Sequence, residues 1–198
     1  MQIICIFDSG DFSKHGGLFS TKSEKENLSE FELFFSRMRD QEWLFNFFKG
    51  NLLELKSFNA SLSIEQAIVK TSLEIEQIEE SLYQTFNNGC YGEDVGLDQI
   101  FRPLNNHEYE ILDLQKTKTK ADKKLIRNPW CRLYAIRVER NLFIVTGGGI
   151  KLTRRMEESG YLKNELKKID HARIFLKSQN IFSGSDLNDY YEDRESFT

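Results

Sequence analysis

Cysteine is scarce in this chain: 198 residues carry only Cys5, Cys90 and Cys131. An odd count without any CxxC spacing excludes a disulfide framework and the usual zinc-site patterns. Histidine is equally sparse, with His15, His107 and His171 far apart in the sequence. His15 and His107 read as loop residues and His171 as a helix-surface residue, so no metal and no cofactor is expected. Asp8 and Asp11, which could be imagined as a metal pair, read as a carboxylate-rich turn because no further ligand pattern follows. No apolar run approaches the roughly 18 residues of a membrane span. The opening "MQIICIF" is too short for a secretory leader and has no basic segment before it. These absences predict a cytoplasmic protein without a membrane partner.

What the chain has is charge, unevenly spread. Its formal net charge is −4. Between Leu114 and Arg155, however, twelve Lys and Arg stand against only Asp122 and Glu139. That stretch is therefore +10, which leaves −14 for the remainder. A local cationic field decides what binds nearby, whatever the sign of the whole. Separation on this scale also suggests self-association, the acidic part of one copy held by the basic part of another.

The periodicities predict an α+β fold. "QIICIF" and "GLFST" read as strands of a hairpin. "LSEFELFFSRMRDQEWLFNFFKGN" carries Phe31, Phe34, Phe35 and Met38 at i, i+3, i+4, i+7, with Ser29 as N-cap and a resumed stripe beyond Asp40. A second helix opens on a Ser63–Gln66 capping box and buries Ile64, Ile68, Thr71, Ile75, Ile78, Leu82 and Phe86. Glu74, Glu76, Glu79 and Glu80 read as its wet face. The two helices make an αα-hairpin. "EYEILDLQ" alternates as a strand, and "KTKTKADKKLIRNP" reads as a basic loop or strand extension. "CRLYAIRVE" and "NLFIVTGG" form a hairpin around "ERN". Alternation separates Arg132, Tyr134 and Ile136 from Leu133, Ala135 and Arg137. A helix over 160–178 turns Leu162, Leu166, Ile169, Ala172 and Leu176 inward, and an acidic, frayed tail follows.

The segment "VTGGGIKLTRR" (145–155) is the strongest local feature. It is not a P-loop: GxxxxGK[ST] places the lysine directly after the last glycine, whereas Ile150 separates Gly149 from Lys151. Two readings stay open. The glycines serve close backbone approach at a strand end, or the strand delivers Lys151, beside Arg132, to an RNA-facing groove rimmed by "KTKTKADKK". In the second reading Trp130 and Tyr134 are candidates for base stacking, whereas Phe143 belongs to the core.

In order, "IFRPLNNHEYEILDLQ", "CRLYAIRVERNLFIVTGGGIKLTRRMEE" and a helix from "KNELKKI" resemble the HigB-like branch of the RelE/ParE toxin superfamily, over residues 100–176. Leu104 and Tyr109–Ile111 match the first strand motif, Arg132 the strand arginine, and Lys151 and Thr153 the terminal lysine–threonine motif. Leu112 and Leu152 stand where that family has basic residues. The resemblance implies a small twisted antiparallel sheet with an αα-hairpin on one face and a C-terminal helix. On this basis residues 1–182 form one RelE/ParE-like domain and 183–198 an acidic flexible tail. It implies a toxin of a type II toxin–antitoxin module, a metal-independent endoribonuclease acting on mRNA at the ribosome and held by a DNA-binding cognate antitoxin. Arg132, Lys151 and Tyr134 are the catalytic candidates. Lys116, Lys118, Lys120, Arg137, Arg154 and Arg155 are the RNA-binding candidates. The alternatives are a non-catalytic RNA- or protein-binding accessory protein, which Leu112 and Leu152 favour, and a ParE-type replication-targeting toxin.

Overall fold

The computed structural model describes residues 1–8, 16–90, 96–104 and 113–195. Strands β1 (Gln2–Asp8) and β2 (Gly17–Lys22) pair antiparallel, as the hairpin reading requires. The turn between them, with Asp11 and His15, lies outside the described residues, as do His107 and the "EYEIL" strand expectation.

Helix α1 (Glu30–Arg39) starts at Ser29, whose hydroxyl accepts from Glu32 N while Glu32 reaches back to Ser29 N at 2.7 Å. This reciprocal cap satisfies two otherwise orphaned N–H groups. The expected long first helix is two, and a third, not expected, follows them. Asp40 closes α1 and caps α2 (Gln41–Gly50), its side chain accepting from Trp43 N at 3.0 Å. Asn51 then separates α2 from α3 (Leu52–Phe58). The long helix α4 (Ile64–Cys90) begins at the Ser63–Gln66 box.

The sheet runs β1-β2-β6-β5-β4-β3, with β3 (Arg102–Pro103), β4 (Gln115–Thr119), β5 (Cys131–Glu139) and β6 (Leu142–Ile150). Five strand pairs make it, and the antiparallel expectation holds for all but one: β2 lies parallel to β6. The cause is the crossover. The helices α1–α4 carry the chain over one face, so β6 returns beside β2 in the same direction. Of the two readings left open for "KTKTK", loop or strand extension, β4 is the strand. Thr117 and Thr119 are buried opposite Ala135 and Leu133, while Lys116 and Lys118 point to the other face opposite Ile136 and Tyr134.

Helix α5 (Gly160–Ser178) has the predicted bounds. The tail that composition marks as frayed is instead helix α6 (Gly184–Glu195). Its Leu187 and Tyr190 enter the core, and Tyr191 Oη donates to Ile3 O at 3.0 Å. The sheet is therefore covered on both sides. Leu133, Ala135, Phe143 and Val145 pack against α1–α4, whereas Tyr134, Ile136 and Ile144 pack under α5 and α6. Over most of its length neither face of the sheet is open.

Candidate functional site

The three glycines explain how β6 lies between two helical layers. Strands β5 and β6 shift register so that Tyr134 faces Gly147 and Ala135 faces Val145, which leaves Thr146 as the bulged residue. Gly147 then sits at φ +148°, where a β-carbon would come within 2.1 Å of Glu165 Oε2 of α5. A β-carbon on Gly148 would meet the Phe34 ring of α1 at 2.3 Å and Arg132 O at 2.7 Å. One on Gly149 would meet the Tyr161 ring at 2.3 Å. Alternate glycines thus admit helices from opposite faces, and polar bonds fix the contact: Tyr161 Oη donates to Gly148 O at 3.0 Å, and Gly148 N donates to Glu165 Oε2 at 3.0 Å. Burial raises the Glu165 carboxyl pKa, opposed by Lys168, which also bridges to Glu30 of α1 at 2.7 Å. The packing bears out the close-approach reading of the glycines.

Just beyond them the same strand supplies Lys151, whose N–H donates to Trp130 O at 2.9 Å and keeps the chain in register with β5. Arg132 lies opposite Gly149, and Lys118 opposite Tyr134, on the α5 side of the sheet. Helix α5 begins only at Gly160, so it does not reach over this end of the sheet. A cavity of about 640 Å³ opens there. Its walls bring together seven of the nine sequence candidates: Lys118, Lys120, Arg132, Tyr134, Lys151, Arg154 and Arg155. Among the described residues that line it, Glu157 is the one acid, so the lining is net +5.

Three of these cations are held by backbone carbonyls. Arg132 donates to Cys131 O at 2.8 Å and Pro129 O at 3.0 Å. Lys151 Nζ donates to Thr153 O at 2.8 Å and Arg154 O at 2.5 Å. Lys118 Nζ donates to Leu104 O at 2.6 Å. Burial, then the neighbouring charge of Arg132, pushes the ammonium pKa of both Lys118 and Lys151 down. Burial likewise lowers that of Arg132. Lys120, on the exposed rim, is lowered to about 8 by burial and by Arg132, Lys123 and Lys118. Like charges crowded in a partly dry cavity destabilise the empty fold, and a bound anion relieves that repulsion.

The two remaining candidates are placed elsewhere. Lys116 is ion-paired with Asp170 of α5. Arg137 pairs with Asp98 at 2.6 Å, and the same carboxylate accepts from Asn141 N at 2.7 Å. Both act as staples of the fold. The stacking candidates are also corrected. Trp130 is fully buried between Phe48 and Phe58, with Nε1 donating to Thr71 at 3.1 Å. Tyr134 contributes to the cavity wall, yet its ring is buried and burial raises its hydroxyl pKa. Its Oη has no hydrogen-bond partner among the described residues.

Glu74 was read as solvent-facing and is fully buried. Its Oε2 accepts from Trp130 N at 2.8 Å and Cys131 N at 2.7 Å, and Lys70 Nζ lies 2.8 Å from Oε1. This carboxylate anchors the start of β5, one residue before Arg132. The signal was available in its position between Thr71 and Ile75, inside the apolar stripe rather than opposite it.

Fold and site together define an α+β protein with a strongly cationic cavity at one end of its sheet. No protein-family model, curated protein or solved structure matches the chain. Among the described residues no helix is long and apolar enough to cross a membrane, and no three His, Cys, Asp or Glu side chains group as metal ligands.

Proposed function

We propose that the cavity binds the sugar–phosphate backbone of RNA and that the chain is an endoribonuclease toxin of the HigB-like kind, restrained by a cognate antitoxin. The observation that carries this reading is the convergence, among the described residues, of six cations on one cavity against a single carboxylate. Such a donor set attracts phosphate and repels a divalent metal ion, so the reaction is written without one. The RNA 2′-hydroxyl attacks the adjacent phosphorus in line and forms a 2′,3′-cyclic phosphate. The P–O5′ bond breaks, and the departing 5′-oxygen takes up a proton. Arg132 and Lys151, held in place by carbonyls, are assigned to the charge that builds on the phosphoryl oxygens, where preorganised donors act most strongly. Lys120, whose ammonium pKa is lowered to about 8, is assigned to proton transfer: its neutral amine takes the proton of the attacking 2′-hydroxyl, and the ammonium so formed returns it to the 5′-oxygen. Lys118, Arg154 and Arg155 position the flanking phosphates.

A second reading, RNA binding without cleavage, is favoured by one observation: no imidazole is found among the described lining residues. Tightly controlled induction in bacteria tests both, comparing the chain with Arg132→Ala and Lys151→Ala at equal, folded protein levels. Growth arrest with mRNA loss, relieved by either substitution, is the expected result. Arrest with intact mRNA supports a replication-targeting toxin instead. Unaffected growth, with RNA still bound in vitro, supports the non-catalytic reading.

A further inference from the structure

A second hollow adjoins the cationic cavity and has the opposite chemistry. It is a cleft of about 410 Å³, within the range that small-molecule groups occupy, about 300–1,000 Å³. Arg154 belongs to the walls of both. The segment after β6 forms the partition: Lys151, Arg155 and Glu157 line the cavity, whereas Leu152, Thr153 and Glu158 line the cleft. The far wall comes from α3, with Leu53, Glu54 and Ser57.

Two carboxylates against Arg154 leave this cleft net negative and disfavour phosphate, although it shares a wall with a site built for anions. An occupant that reaches it from the cavity must be an uncharged group covalently attached to the phosphate. It must also be broad and apolar enough to meet Leu53, which is 86% exposed, and Leu152. Finally, it must present N–H donors at its edge, since an ionised carboxylate only accepts. A nucleobase satisfies all three requirements. Guanine satisfies the last one best. Its Watson–Crick edge carries N1–H and N2–H side by side, and two parallel donors grip one carboxylate bidentately. Adenine and cytosine offer one amino group beside a lone pair, and uracil one N–H between two carbonyls. Those lone pairs repel the carboxylate, which gives discrimination by rejection as well as by attraction.

Of the two acids, Glu158 already accepts from Arg155 N at 3.0 Å. Glu54 is half-buried, and no hydrogen bond or ion pair engages it among the described residues. Building on the RNA-binding reading above, we propose that the cleft is a guanine subsite, with Glu54 reading the N1–H/N2–H edge and Leu53 and Leu152 covering the ring while the attached phosphates lie in the cationic cavity. Glu54 is thereby a specificity-determining residue, not a catalytic one.

The test uses the full chain and fluorescently labelled 2′-fluoro RNA heptamers, which lack the nucleophilic hydroxyl and cannot be cleaved. A uridine tract is compared with the same tract carrying one central guanine, inosine or adenine. Guanine should bind at least about tenfold tighter than adenine, the discrimination one bidentate base contact supplies. Inosine, which lacks the N2 amino group, should fall between. Glu54→Gln should bring guanine within about twofold of adenine without weakening the plain uridine tract, because loss of a carboxylate near the phosphates only favours binding. Leu53→Ala should weaken both purine heptamers. If the uridine tract binds in an Arg132-dependent way but guanine gains nothing, or its advantage survives Glu54→Gln, the guanine assignment is overturned and the RNA reading stands. Transfer of the effect to Glu158→Gln would also overturn the role of Glu54. Absence of binding to every heptamer would overturn the RNA reading and the subsite with it.

Discussion

Substitution of Gly148 by alanine is the sharpest challenge to the packing described for β6. The new methyl would lie 2.3 Å from Phe34 Cδ2 and 2.7 Å from Arg132 O. Neither neighbour yields easily: Phe34 is 3% exposed within the core, and Arg132 O is backbone of the central strand β5. Overpacking of this kind costs about 1–3 kcal/mol, and a clash with backbone as well as ring places Gly148→Ala at the upper end, about 3 kcal/mol. For a chain of this length each kcal/mol moves Tm by about 2–4 °C, so a fall of roughly 6–12 °C is expected. Gly50→Ala is the internal control, since no atom lies within 4 Å of its added methyl and it closes helix α2. That variant should be neutral or more stable by about 0.5–1 kcal/mol. Urea denaturation of the three proteins gives the free energies directly, and unchanged m-values would show that the unfolding transition is comparable. If Gly148→Ala matches the wild type within about 0.5 kcal/mol, the ordinary range for uninvolved sites, then α1 does not press on β6 as described.

Two further expectations concern charge. Because Lys120 is lowered to about 8 from an ordinary 10.5, the folded chain binds fewer protons than the unfolded one between those values. Stability of the anion-free protein should therefore rise with pH across that window, as repulsion in the cavity is relieved, and the repulsion is fully present below it. RNA affinity should change in the opposite sense, falling as pH rises through 8 at constant ionic strength, with Lys120→Arg removing the part of the fall centred there. A flat profile from pH 7 to about 9.5 would contradict this. Glu74→Ala should cost about 3–5 kcal/mol, the usual consequence of breaking a buried ion pair, because it removes the carboxylate facing Lys70 and leaves the Trp130 and Cys131 N–H groups without their acceptor. A loss below about 1 kcal/mol in chemical denaturation would show that water replaces the carboxylate.

The elements that carry a full apolar period were readable from the sequence: α1, α4 and α5 lie where their stripes put them, and the hairpin of β5 and β6 where alternation did. The misses have identifiable causes. Strand β4 is spelled K-T-K-T, so polarity left loop and strand extension undecided despite a strict period of two whose threonines are the buried set. Asp40 interrupts an otherwise continuous stripe, and only its capping geometry shows that one helix has become two. Helix α6 was masked by its acidic composition, although Leu187, Tyr190 and Tyr191 recur at i, i+3, i+4. In the candidate site, the clustering of cations along the chain located the right region. Sequence could not tell which of them are neutralised by distant partners, as Lys116 is by Asp170 and Arg137 by Asp98. Nor could it show that Tyr134 and Trp130 are claimed by the core.

The glycine triplet makes the position of Lys151 a matter of counting. Side chains elsewhere in the core can exchange one shape for another, and the layers will adjust by fractions of an ångström. Between Gly147 and Lys151 the spacing is set by main-chain atoms, whose dimensions no substitution alters. Deleting or adding one residue there would turn every later side chain to the opposite face of the sheet. Lys151 would then point toward α1–α4, and Ile150 would take its place among the cations. The protein is thus built to tolerate drift in the identity of its core residues, but not in the number of links that join the bulge at Thr146 to the cavity.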